Sequence, residues 1–233
     1  KQLINNKVKE LIILDHNEFA LYEIEKKLLN ELKVRNTKIL IYTVLADVKN
    51  KESLIKVFKT YKIDVVYHAA AYKHVPIVEK NKIEGLRNNV FGTKNIVEIS
   101  QENNIKSFTL VSTDKAVRPT NVMGVSKRIA EMIVQSLAEK NKDKQKTIFS
   151  IVRFGNVLDS NGSVIPLFRE QITNNGPITI THKDVTRFFM TIPEAAQLVI
   201  ESSLLASGGE IFLLNMGKPI KILDLAKNMI EIS

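Results

Sequence analysis

Short apolar runs alternate with longer helical spans along this chain, and that alternation limits the possible folds more than any other feature. The runs are ELIILD (10–15), TKILIYTVLADV (37–48), DVVYHAAA (64–71), KSFTLVS (106–112) and IFSIVRFGNV (148–157). They are nearly continuous in apolar residues, as strands covered on both faces by helices must be. Between them lie a helical stretch to about Lys33, the amphipathic segment KESLIKVFKTYK, a long helix through residues 84–103, and a helix from near Val122 to about Asn141. Repeated β-α-β units of this kind predict an α/β protein with a doubly wound parallel sheet. Beyond Asn156 the pattern loosens, Gly, Pro and Asn become frequent, and the strands shorten to PITIT and EIFLLN.

The first glycine is Gly85. A dinucleotide-binding fold needs glycines in its first β-α turn, where backbone meets pyrophosphate at a helix N-terminus. The acidic residue that follows such a loop by about 20 residues has a counterpart in Asp15. That spacing places the expected glycine loop and its strand before Lys1, and makes KQLINNK the tail of the helix after it. The expected layout is a Rossmann-like domain lacking its first strand over residues 1–156. A smaller substrate lobe, interleaved with the sheet, is expected over 157–233.

Residues 111–127 read VSTDKAVRPTNVMGVSK and carry the densest chemistry. A hydroxyl, a carboxyl and an amine (Thr113, Asp114, Lys115) sit together where an apolar run ends. Met123 and Lys127 stand four apart at the start of the next helix, on one face of it. In an open α/β sheet the carboxyl ends of the strands are where ligands bind. The bland alternative is an ordinary Thr-Asp-Lys surface turn, with Met123 filling an apolar gap.

Charge and composition exclude several classes. Net charge is +9, but the lysines are scattered, with KNKDKQK (140–146) the densest run. Nucleic-acid binding needs a basic stripe interleaved with aromatics; aromatics are 6% and tryptophan is absent, so no nucleic-acid partner is expected. A solvated lysine-rich surface explains the charge, with attraction to acidic headgroups or steering of an anionic substrate as functional readings. There is no cysteine, which excludes disulfides and thiol catalysis and fits a reducing, cytoplasmic setting. No apolar run is long enough to span a bilayer, and KQLINNKVKE lacks a signal peptide's apolar core. Membrane association is therefore expected only through segments outside this chain. No metal site is expected.

The blocks LIILDHNEFALYEIE, ADV, HAAAYKHVPIVEKN, NNVFGTKNI, VSTDKAVRPTNVMGVSKRIAE, VRFGNVLDSNGSVIPLF and FFMTIPEAAQLV together resemble the extended short-chain dehydrogenases/reductases. Within them the chain is similar to the UDP-N-acetylglucosamine 4,6-dehydratases of bacterial polysaccharide synthesis and protein glycosylation. It is closest to the branch with methionine in place of the usual tyrosine. The resemblance implies NAD as cofactor, a UDP-sugar as substrate and a homodimer or higher homo-oligomer. It implies a redox-neutral dehydration: oxidation at C4, loss of water across C5–C6, and hydride return to C6. Asp114 resembles the family acid, Lys115 the base, and Lys127 the helix lysine that binds the nicotinamide ribose. Met123 cannot take the proton that tyrosine takes, which leaves Thr113, a relay through the ribose or Lys127, or an inactive chain; the active members of the methionine branch favour a replacement group.

The resemblance places Asp15, Asp47, Val48, Ala69, Ala70, Ala71 and Asn89 around the cofactor. Asp15 suits ribose hydroxyls and repels a 2′-phosphate, favouring NAD over NADP; it could equally cap the next helix. Asp47 could be turn chemistry, and a buried Asn89 holding backbone would read the same. Lys73, His74, Asn156, Val164, Phe168 and Arg187 fall on the substrate side, with Phe168 expected near the uracil and Arg187 suited to a diphosphate. Asp159 stands where relatives carry glycine. A sugar epimerase is the rival enzyme, against which the Asp-Lys pair argues. A nucleotide-sugar-binding fragment with impaired catalysis is the rival non-enzyme.

Overall fold

The structure is a computed structural model describing residues 1–6, 8–141, 147–160 and 162–233; most of the densest lysine run lies outside the described residues. Strand β1 (Glu10–Asp15) pairs in parallel with β2 (Leu40–Leu45). Separately, β3 (Val65–His68), β4 (Ser107–Thr113), β5 (Ile148–Phe154) and β9 (Ile211–Leu213) form a parallel four-stranded sheet in the order β3-β4-β5-β9. The parallel arrangement is as expected from the β-α-β pattern. The sheet, however, is in two pieces, because no hydrogen bonds join β1 to β3.

Helices cover both faces. Helices α3 (Lys51–Thr60), α6 (Thr93–Glu102) and α7 (Val122–Asn141) pack on one side around Phe108 and Phe149, whose ring centroids lie 5.8 Å apart. Helix α9 (Ile192–Leu205) closes the other side over Val152, with Met190 and Leu214 in the same cluster. Its start is fixed by a reciprocal Thr191–Glu194 cap, which satisfies two otherwise free backbone donors. Helix α2 (Glu18–Arg35) and the short α1 (Gln2–Asn5) pack on the β1–β2 pair through Ile4, Leu28 and Leu32. Phe149 is fully buried, so Phe149→Ala should cost about 3–5 kcal/mol in chemical denaturation. A loss under 1 kcal/mol would mean that α3, α6 and α7 do not close over this core.

Several elements differ from the sequence expectation. The strand expected over 64–71 ends at His68, and the three alanines leave the ladder. The single helix expected over 84–103 is three pieces: α5 (Lys82–Leu86), a π-helical turn (Arg87–Gly92) and α6. A further helix, α4 (Val75–Lys80), precedes them. PITIT forms no strand. The pairs in that region are instead β6 (Asn156–Val157) with β8 (Phe189–Met190), and β7 (Thr186–Arg187) with β10 (Ile220–Lys221). With α8 (Val164–Thr173) and α10 (Ile222–Ile232) they make a small lobe, whose core holds Phe168, Ile222 and Ala226. β9 and α9 come from the same C-terminal stretch but belong to the main sheet.

Candidate active site

Two clefts open along the carboxyl ends of the strands. The narrower, about 160 Å³, is lined by Leu14, Asp15, Val48, Ala69–Ala71 and Tyr72. The wider, about 500 Å³, shares Ala69 and Ala71 with the first and runs between the sheet and the small lobe. The alanines that leave β3 thus form the wall common to both, and their small side chains keep that wall open.

In the wider cleft the structure gathers Lys73, His74, Thr113, Lys115, Met123, Lys127, Asn156, Val164 and Arg187. Three elements deliver the central ones. β4 ends at Thr113, whose hydroxyl caps the tight turn Asp114–Ala116 and donates to Asp114 Oδ1 at 2.9 Å. The Lys115 ammonium lies 3.1 Å from the same oxygen and 3.3 Å from Asn156 Oδ1, beyond the end of β5. Asp114 itself is not a lining residue; its half-exposed carboxylate meets the cleft at the rim through Lys115. From α7, Met123 is buried in the wall, and Lys127 one turn on donates to the Val111 carbonyl at 2.9 Å.

Burial pushes the Lys127 pKa down from 10.5 to about 8, and the Glu131 carboxylate limits the fall. Between about pH 8 and pH 10.5 the unfolded chain therefore holds a proton that the folded chain has released. Stability rises with pH across that window, and below it the desolvation cost is fully present. Relative to Lys127→Met, the protein should gain on the order of 2 kcal/mol between pH 8 and pH 10 in urea titrations. Parallel pH curves for the two proteins would refute the buried cation.

The other residues singled out from sequence divide. Asp15 borders the narrow groove and accepts from Asn17 N at 2.9 Å, but the side chain that caps α2 is that of Asn17, so Asp15 is not the cap. Asp47 lines neither cleft; it holds its own turn through Lys49 N at 2.8 Å. Asn89 is buried, and its amide is fully engaged with Tyr72 N and O, Asn88 and Ser126 Oγ. It fastens the segment after the alanines to α7, and the π turn aims it there. Phe168 is a correction: it is fully buried beneath the cleft against Ile222 and Ala226 rather than open to a base. Asp159 takes φ +55, a left-handed backbone that glycine adopts more readily. Gly162, at φ +68, lies over the His74 ring, where a Cβ would come within 2.2 Å of Cε1.

Sequence reasoning missed Ile180, Val185 and Phe189 in the lobe wall, and Ser163. Ser163 Oγ is buried at the start of α8 without a hydrogen-bond partner among the described residues. Nothing in the residue pattern distinguishes these from ordinary loop positions. The described lining contains four cations and no carboxylate, so the cleft suits an anion. No cluster of metal-ligating side chains, and no helix long and apolar enough to cross a membrane, occurs among the described residues.

A parallel α/β sheet with helices on both faces and a cationic cleft at its carboxyl edge is the architecture of an extended short-chain dehydrogenase/reductase. The chain belongs to the polysaccharide biosynthesis protein family, whose model matches residues 1–233. It is 52% identical over 225 residues to the capsular polysaccharide biosynthesis protein CapD of Staphylococcus aureus, covering 97% of this chain and 37% of CapD. It thus spans little more than a third of that relative. It is also 36% identical over 208 residues to a UDP-glucose 4-epimerase of Rickettsia bellii, covering 88% of this chain and 60% of the epimerase. Among solved structures it resembles Pen from Bacillus thuringiensis, with TM-score 0.89 and 35% identity over 99% of this chain and 70% of Pen.

Proposed function

We propose that the chain carries the catalytic site of a nucleotide-sugar 4,6-dehydratase acting on UDP-N-acetylglucosamine. The observation that carries this reading is the Asp114–Lys115 pair, held 3.1 Å apart at the rim of a cleft that Met123 and Lys127 also line. Elimination needs one acid and one base on the same side of the sugar, and the pair provides them. Lys115 as the free amine takes the C5 proton and returns it to C5 at the end, and Asp114 as the protonated acid gives its proton to the departing 6-hydroxyl, which leaves as water. Thr113 would pass the 4-hydroxyl proton to Asp114, whose Oδ1 it meets at 2.9 Å, and Lys127 would stabilise the 4-alkoxide in place of the missing tyrosine. Arg187, Lys73 and the free Ser163 hydroxyl suit the diphosphate.

The residues fit NAD at both ends: Asp15 for ribose hydroxyls beside Val48 and the alanines, Lys127 for the far ribose. When bound there, NAD would supply the hydride acceptor for C4 oxidation and the hydride donor for C6. With no glycine before Gly85, this chain offers few backbone donors to the pyrophosphate. NAD should bind it with a dissociation constant above about 10 μM by calorimetry; sub-micromolar binding would contradict this.

Incubation with UDP-N-acetylglucosamine and excess NAD should yield a product with a new C6 methyl signal in NMR. Inversion at C4 with C6 intact would establish an epimerase, the reading that the Rickettsia similarity favours. Binding of UDP without turnover would make the chain a nucleotide-binding piece. On α7, Val125 and Met132 stand seven apart on one face and stay exposed, as does neighbouring Phe91. This face suits a second copy, and light scattering should report a dimer.

A further inference from the structure

Behind the cleft, a single buried carboxylate ties together all three elements that supply its central residues. Glu131 on α7 is 0% exposed. Its Oε1 accepts from Ser112 Oγ at 2.6 Å and from Arg153 Nε at 2.7 Å. Its Oε2 accepts from Arg153 Nη2 at 2.5 Å and from Arg128 Nη1 at 3.1 Å. Ser112 and Arg153 are direct partners in the β4–β5 ladder. One residue beyond Ser112 come Thr113, Asp114 and Lys115. Two residues beyond Arg153 come Gly155 and Asn156. One turn before Glu131 is Lys127, and two turns before it is Met123.

We propose that the Glu131–Arg153–Ser112 cluster is a positioning device that sets the register of α7 against the ends of β4 and β5. It thereby fixes Lys127 relative to the Asp114–Lys115 pair. The geometry favours registration over bulk stability. The Arg153 fork engages both carboxylate oxygens, so it defines direction as well as distance. The second tie between α7 and β4, Lys127 Nζ to the Val111 carbonyl, is one turn away. Two ties one turn apart prevent both sliding and rotation. A buried ion pair, by contrast, is weak evidence for stability, since apolar residues of similar volume often replace one without loss. That contrast supplies the test.

The proposal rests on the dehydratase reading for its kinetic arm only. Glu131→Gln and Arg153→Lys should each lower kcat about 10- to 100-fold with KM for UDP-N-acetylglucosamine within about threefold, as expected when reacting groups are misplaced. In both variants, amide exchange should accelerate at least about tenfold over 111–116 and 122–127, while the core of β5 stays protected. The apolar pair Glu131→Met with Arg153→Met should recover thermal stability but not kcat. If the wild type forms no product, the dehydratase reading fails, and amide exchange alone decides the clamp. Unchanged exchange at the strand ends in both single variants would overturn the proposal, as would an apolar pair that restores kcat together with stability.

Discussion

On the proposed dehydration, replacing Asp114 with Asn should slow the reaction after C5 deprotonation. Asn keeps the size and polarity of the side chain but has no proton to give a leaving hydroxyl. The C6 methyl product should form about 10²- to 10⁴-fold more slowly, the usual worth of a positioned general acid. In deuterated water the recovered sugar should still gain deuterium at C5, because Lys115 remains in place. Lys115→Met should abolish that exchange as well. The two variants thus separate acid from base. Their geometry makes the separation meaningful: Lys115 reaches Asp114 and Asn156 from one ammonium, so loss of either carboxylate or amine leaves the other attached to the same turn. Equal C5 exchange in both variants would refute the assigned roles.

The parts of this molecule that were legible in sequence are those where one physical requirement dominates. Strands buried between helices must be apolar throughout, and β4 and β5 were visible for that reason; β1 and β2 read the same way although they are only part-buried. Helix α7 was legible along its whole length because Met123, Ala130 and Val134 recur at helical spacing on its buried face, even though Lys127 and Glu131 interrupt that face. The helix expected over 84–103 was not, because a π turn retains helical periodicity while shifting its phase. That turn serves Asn89, whose amide must face the backbone of Tyr72. β3 was read three residues too far at its C-terminal end, because alanines suit a strand as well as a groove wall. In the lobe, Val164 and Phe168 stand four apart on one face of α8. The first turn of that face lines the cleft and the next passes beneath it onto Ile222 and Ala226. Spacing alone cannot separate wall from floor. The residues gathered in the wider cleft come from strand ends far apart in sequence, and it was their side-chain chemistry that marked them.

Gly124→Ala should impair the protein far beyond what its single methyl group suggests. In an exposed helix this change is favourable by about 1 kcal/mol, since alanine restricts the unfolded chain. Here α7 begins directly against the turn that carries Asp114 and Lys115. A Cβ at 124 would lie 2.5 Å from the Lys115 carbonyl oxygen and 3.1 Å from Pro119 Cβ. The first obstacle is main chain, so no rotamer change relieves it. Overpacking of this kind costs about 1–3 kcal/mol, which exceeds the helix gain. The more telling loss is positional: whichever side yields, Lys115 moves relative to Lys127, and displacement near 1 Å can cost about 10²-fold in rate. Gly176→Ala is the control, because its added Cβ meets nothing closer than Gln171 O at 3.8 Å. The expected result is normal turnover for Gly176→Ala, and at least about a 50-fold lower kcat for Gly124→Ala with only modest loss of thermal stability. Wild-type turnover in Gly124→Ala would show that the turn bearing Lys115 can retreat without consequence, and that rigid docking of α7 is not what aligns the site.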